Sequence, residues 1–199
     1  ENRPGAGTVI GVDAAAKSAG DGYTFVSVAN SFTVNVTLVP KLPYDELKDL
    51  QPVGLMAKTA NVLVAHPSAP FNTFAEFLAY GRANPGKLNY GYTPAASGHM
   101  AMELLKQTAS TCTGPKKDIC KPLFMVGIPY RGGGPMMIDL LGGQIPVMFI
   151  NQDVAIQHIK AGKLKALAVS SLQRNPLYPD VPTINEAGFP GFSALSWSG

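Results

Sequence analysis

From residue 88 to residue 171 the sequence alternates short apolar runs with stretches of helical spacing, and this rhythm constrains the fold more than any other feature. The runs at 88–92, 123–128, 145–150 and 164–170 read as strands. Between them, residues 99–106, 136–141 and 154–161 carry apolar side chains three and four apart, the spacing of one helix face. Repeated strand–helix–strand units predict an α/β fold built on a parallel sheet flanked by helices. Ligands of such sheets sit beyond the carboxyl ends of the strands. Small polar segments occupy those ends at residues 93–99, 130–134 and 151–153, with a comparable one at 29–31.

The segment at 93–99 is the most pointed. Leu88, Tyr90 and Tyr92 alternate as in a half-buried strand, and Met100, Ala101, Leu104 and Leu105 follow at helical spacing. Ser97 suits the N-cap, where its hydroxyl would accept an N–H of the first turn. Small residues running into a helix N-terminus offer backbone N–H groups and the positive end of a helix dipole, which suits a carboxylate or phosphate. An ordinary strand-to-helix turn has the same outline, so the segment alone leaves both readings open.

The rest of the chain predicts further elements. Residues 8–17 read as a helix. The glycines Gly5 and Gly7 before it lack the third glycine of a dinucleotide fingerprint and suggest close packing of helix on sheet. Residues 23–29, YTFVSVA, read as a strong strand, 32–38 as a helix, and 50–57 and 60–66 as two strands. Asn72 or Thr73 caps a helix reaching Ala83. Beyond 171 the chain is rich in proline and glycine, with one helical turn near 184–187.

Composition and motifs narrow the function. The net charge is only +3 and the basic residues are scattered, which excludes a nucleic-acid footprint. No 18-residue apolar run is present, so no membrane-crossing helix is expected. The chain shows no signal peptide and opens and closes without terminal signals, as expected of a piece of a longer protein. His66, His99 and His158 lie apart and no zinc spacing occurs, so no metal or other cofactor is expected. There is no Gly-x-Ser-x-Gly elbow, no Gly-Lys-Ser or Gly-Lys-Thr loop and no carboxylate pair in the loops. Convergent hydrogen-bonding loops without a catalytic set favour a binding protein over an enzyme. Cys112 and Cys120 flank a polar loop and suggest a local disulfide in an oxidising compartment, the alternative being two free thiols.

Longer motifs carry a family resemblance. ENRPGAG, DGYTF, LPYDELKDLQPVGL, KLNYG, PYRGGGPMMIDLLGGQIPVMF, HIKAGKLKALAVSS and PDVPTINEAGFPGF, in that order, resemble the Bug or TctC-like substrate-binding receptors of tripartite tricarboxylate transporters. The resemblance implies a two-domain, type II periplasmic-binding-protein architecture that closes on its ligand. Domain one would comprise 1–86 and 171–199 and lack its N- and C-terminal parts here; domain two would be 87–170. It implies a small carboxylate ligand, a periplasmic location, membrane transporter subunits as partners and no enzymatic activity. The ligand would be held by Thr93, Ala96, Ser97, Gly98 and His99, and by Tyr130, Arg131, Gly132 and Gly133. Ala29, Asn30 and Ser31 would form the domain-one wall, and Asn151 the floor. Asn151 replaces an aspartate common in the family, which argues mildly against an amino-acid ligand. An incomplete domain one would expose an apolar surface able to pair two copies. A sensor docking on a membrane signalling protein and a Rossmann-like enzyme remain as alternatives.

Overall fold

A computed structural model describes residues 1–3, 5–110 and 122–199. Cys112 and Cys120, and the disulfide expected between them, lie outside these residues. After a 3-10 turn at Ala6–Thr8 come α1 (Val9–Ala16) and α2 (Asn30–Leu38). Then follow β1 (Ala57–Ala65), α3 (Phe74–Ala83), β2 (Asn89–Tyr92) and α4 (Ser97–Ser110). The last elements are β3 (Val126–Pro129), α5 (Gly133–Leu141), β4 (Val147–Asn151), α6 (Gln152–Lys160), β5 (Lys165–Val169) and β6 (Leu195–Ser198).

The main sheet has the order β3-β2-β4-β1-β5. β2 runs parallel to β3 and β4, but β1 lies antiparallel to both β4 and β5. The sheet is therefore mixed rather than parallel. An antiparallel strand at this place is invisible to a strand–helix rhythm, because β1 precedes the alternating region. Its core half is wholly buried: Val62, Leu63, Val64 and Ala65 are each 0% exposed. Leu63 and Ala65 face a layer with Phe74, Phe77, Met102 and Leu105, while Val62 and Val64 face Met136, Leu140 and Ala155 on the other side. Helices α3 and α4 thus cover one face, and α5 and α6 the other, which is why these runs are apolar throughout. No helix among the described residues is long and apolar enough to cross a membrane.

β1 also leaves this sheet. Its first half, Ala57 to Ala60, pairs antiparallel with β6, and its second half, from Asn61, pairs with β4. The sequence division at residue 86 put β1 and α3 in domain one. The structure instead builds both into the same core as β2–β5, and the change of partners falls between Ala60 and Asn61.

Two expected strands are absent as strands. Residues 23–27 form no strand and have no ladder partner among the described residues, and Tyr23 and Phe25 stand 89% and 72% exposed. Only the end of this segment is tied, through reciprocal backbone bonds of 2.8 and 3.1 Å between Val28 and Gly199 and a bridge from Ala29 to Ser198. Residues 50–56 likewise stay outside a ladder, and β1 starts only where β6 runs alongside. β6 itself lies in the segment read as proline- and glycine-rich. Helices α2, α4, α5 and α6 start two or three residues before their first expected position, because polar or glycine residues fill their first turns. The turn at 184–187 is present, closed by Thr183 and Glu186 exchanging backbone-to-side-chain bonds of 2.9 Å.

Candidate ligand-binding site

β2, β3 and β4 run in one direction, and each is followed at once by a helix, so α4, α5 and α6 all begin at the same edge of the sheet. β1 runs the other way, and α3, which follows it, begins at the opposite edge. The two edges differ in how their helices start. At α3, Thr73 occupies the N-cap and its hydroxyl accepts the Glu76 N–H at 3.2 Å, while the Glu76 carboxylate takes the Asn72 N–H at 2.6 Å. At the other edge, Gly132 before α5 and Asn151 before α6 make no side-chain cap. Ala96, whose carbonyl accepts the Met100 N–H at 3.1 Å, precedes α4 and has no side-chain oxygen to offer. The first N–H groups of a helix have no acceptor within it, so this edge presents three uncapped, positively polarised ends.

Ser97 does not cap α4. It is the first residue of the helix, and its hydroxyl donates to Asn61 Oδ1 at 3.1 Å and lies 3.3 Å from Asn151 Oδ1. Gly98 follows; a Cβ there would stand 2.5 Å from the Phe149 carbonyl oxygen, so only glycine lets α4 lie this close to β4. Thr93 carries a buried hydroxyl without a hydrogen-bond partner, the one polar side-chain atom of this loop in that state. Ala95 sits at φ 62°, and the His99 ring beyond it accepts the Ala95 N–H at 3.4 Å and stacks on Tyr92 with centroids 4.3 Å apart. Burial holds the His99 imidazole below its ordinary pKa.

The second loop is looser. Arg131 and Gly133 are exposed, and Gly132 lies in extended backbone. Tyr130 is anchored by a 2.7 Å bond from its hydroxyl to Asp139, and burial together with that bond pushes its pKa up to about 12. Near the first loop, Tyr90 donates to Glu103, which also receives Lys106 at 2.8 Å. Burial raises the Glu103 carboxyl, but these two hydrogen bonds outweigh it and the net shift is downward.

The turn before α1 approaches the 93–99 loop, and α2 is tied to that turn. The backbone of the 3-10 turn bends through Gly5 and Gly7, at φ 130° and 60°, so these glycines serve a turn rather than helix-on-sheet packing. Thr8 is left-handed as well, at φ 78°, an uncommon conformation for a β-branched residue. Its hydroxyl meets that of Ser31 at 2.9 Å. Asn35 donates to the Gly7 carbonyl at 2.7 Å. A Cβ on Gly7 would come 3.7 Å from the Pro94 carbonyl, which brings this turn up to the 93–99 loop. Ala29 precedes α2 without a side-chain cap, adding a fourth open helix end. Asn30 is committed elsewhere: its amide donates to Leu195 O at 3.1 Å and accepts Trp197 N–H at 3.0 Å, fixing α2 on β6.

The structure therefore gathers Thr93, Ala96, Ser97, Gly98, His99 and Asn151 at one edge, with Ser31 across from them beside the turn that meets Pro94. Asn30 and Tyr130 spend their polar groups on partners within the chain. Sequence reasoning missed Asn61 and Thr8. Asn61 lay inside an apolar run that drew attention only as a strand, and an asparagine in such a run was the available signal.

Comparison with known proteins agrees with the architecture. The model of the tripartite tricarboxylate transporter family receptor matches residues 1–199. The chain is 37% identical over 200 residues to protein BugT of Bordetella pertussis, a match covering 99% of this chain and 58% of the relative. Among solved structures, R. palustris Rpa4515 with adipate superposes with a TM-score of 0.89 at 31% identity, covering 100% of this chain and 63% of that one. MatC (Rpa3494) from Rhodopseudomonas palustris with bound malate gives 0.83 at 29%, covering 98% and 63%. The chain thus spans about three-fifths of the length of these relatives. Its mixed α/β architecture is that of periplasmic binding proteins, and it belongs to the family of tripartite tricarboxylate transporter receptors, a family of receptors and not of enzymes.

Proposed function

We propose that the protein is a periplasmic solute receptor that captures a small organic carboxylate at the carboxyl edge of the sheet and delivers it to a tripartite tricarboxylate-type transporter. The carrying observation is the contrast in capping. α3, at the far edge, carries a side-chain cap, whereas α2, α4, α5 and α6 are left without one. The first turns of α2, α4 and α5 hold no acidic residue, and Asp153 in that of α6 accepts the Thr59 hydroxyl at 3.3 Å. Open, unopposed helix ends suit an anion. That two relatives were solved with adipate and malate supports a carboxylate.

In this reading the first-turn N–H groups of α4 and the Thr93 hydroxyl hold the carboxylate, with Gly132 and Gly133 at its side and Ser31 opposite. In the same reading, the part carrying α1, α2 and β6 closes on the part carrying β2 to β5 about β1, whose halves belong to different sheets.

A thermal-shift screen of the natural-length protein against carboxylic acids, adipate and malate included, tests this. A ligand at a hundred times its Kd stabilises by about 2.7 kcal/mol, so a bound acid raises Tm clearly. Ser97→Pro removes one first-turn N–H at a position that tolerates proline, together with the hydroxyl bonded to Asn61; it is expected to weaken the same acid more than Ser97→Ala, which removes the hydroxyl alone. No shift with any acid, on protein shown ligand-free by mass spectrometry, overturns the proposal.

A further inference from the structure

Asn61 occupies the point where β1 changes partners, and it is 0% exposed. A buried side-chain amide at a strand junction needs partners for both ends. Its Nδ2 donates to the Ala194 carbonyl at 3.0 Å, just before β6, and its Oδ1 accepts the Ser97 hydroxyl at 3.1 Å, in the first turn of α4. The Ala194 carbonyl can only accept, so the amide turns Nδ2 to it and its oxygen towards Ser97.

The backbone of Asn61 extends the connection. Its N–H donates to Ser170 Oγ at 2.9 Å and its carbonyl accepts Ser170 N–H at 2.8 Å. Ser170, also 0% exposed, donates its hydroxyl to the Ala194 carbonyl at 2.6 Å and accepts Ala194 N–H at 3.0 Å. Asn61, Ser170 and Ala194 thus close a ring of hydrogen bonds at the junction between the two sheets. Ser97 is the link from that ring to the helix end assigned above to the ligand.

We infer that Asn61 is a positioning residue that couples the N-terminus of α4 to the junction, so that events at the helix end and the angle between the two sheets bias one another. The inference rests on the receptor reading for its meaning, though the coupling itself is a property of the ligand-free protein. Ser97 has one hydroxyl proton and two carbonyl oxygens in reach, Asn61 at 3.1 Å and Asn151 at 3.3 Å. A small displacement of α4 exchanges one acceptor for the other, which makes the link two-state rather than elastic.

Amide hydrogen exchange on the natural-length protein without ligand tests the coupling. Ser97→Ala removes one oxygen from α4, and Asn61→Ala removes the bridge. Both variants are expected to speed exchange at Ser170 and Ala194 about tenfold, the scale of one lost buried hydrogen bond, beyond any change at Met148 and Ile150 that reports global stability. The double variant is expected to match Asn61→Ala alone, since both changes break one chain. Wild-type rates at Ser170 and Ala194 in Ser97→Ala overturn the inference, as do additive effects in the double variant. Ser97→Ala keeps the test decisive if Asn61→Ala does not fold. Adding adipate or malate to wild-type protein gives a separate readout: absence of binding there counts against the receptor reading and leaves the exchange result standing.

Discussion

The two edges of the central sheet begin their helices in opposite ways. At one, α3 starts behind Thr73, whose hydroxyl caps the Glu76 N–H of the first turn. At the other, α4 and α5 start behind Ala96 and Gly132, residues unable to cap through a side chain, and Asn151 before α6 makes no cap. An uncapped helix costs about 1 kcal/mol relative to a capped one. A carboxylate bound as proposed above would supply acceptors at the open edge, where that cost recurs, and none at the other.

Supplying the acceptor covalently breaks this contrast most severely. Ala96→Asp places a carboxylate at the α4 N-cap. It is expected to raise stability by about 1 kcal/mol while lowering affinity for any carboxylate about a hundredfold or more, since like charges cost several kcal/mol. Calorimetric titration beside thermal melts reads both, and undiminished affinity would move the ligand away from α4. Gly98→Ala drives a Cβ against the Phe149 carbonyl and is expected to destabilise by about 1–3 kcal/mol in urea unfolding. A neutral result would mean that α4 is free to slide on β4. Thr73→Ala is expected to cost about 1 kcal/mol and leave affinity unchanged, because the proposed site lies at the other edge. The smallest effect is that of pH. Burial lowers the pKa of His99 in the folded protein. The folded state therefore binds fewer protons than the unfolded one, and the contribution of His99 to stability is present above the ordinary value near 6.5 and lost as pH falls through the lowered one. Melting between pH 7.5 and 5 is expected to show this loss and His99→Gln to flatten it; an unchanged slope in the variant assigns the loss to other groups.

What the sequence conveyed depended on whether structure was set locally or by distant partners. Residues 23–29 and 60–66 look alike as β-formers, yet only the second run gives a strand. Val62 to Ala65 find β4 and β5 on their two sides, whereas Tyr23 and Phe25 find no strand among the described residues. Strand propensity records fit to a pleated, half-buried surface, and it cannot report whether that surface is supplied. The helices α3 to α6 were legible because their periodicity and flanking turns are local. The first turns of α4, α5 and α6 were read late, since Ser97, Gly133 and Gln152 look like loop. The 93–99 loop was found by its small residues before a helix, but the role of Ser97 was misread. Capping is inferred from neighbours in sequence, and its actual partner, Asn61, is distant in the chain. β6 was missed because nothing local distinguishes LSWS from the irregular chain before it.

The split pairing of β1 also bears on the order of assembly. Its second half meets β4 and β5, and its first half meets β6, whose residues Leu195 to Ser198 come far later in the chain. Contacts between distant residues form slowly, because the intervening chain must first be brought together. One strand is thus expected to mature in two stages, with the half behind Asn61 zipped into its sheet while Ala57 to Ala60 still wait for a neighbour. The junction that separates the two sheets in space would then separate two phases in time, and a refolding experiment with labels on either side of Asn61 would see β1 arrive twice.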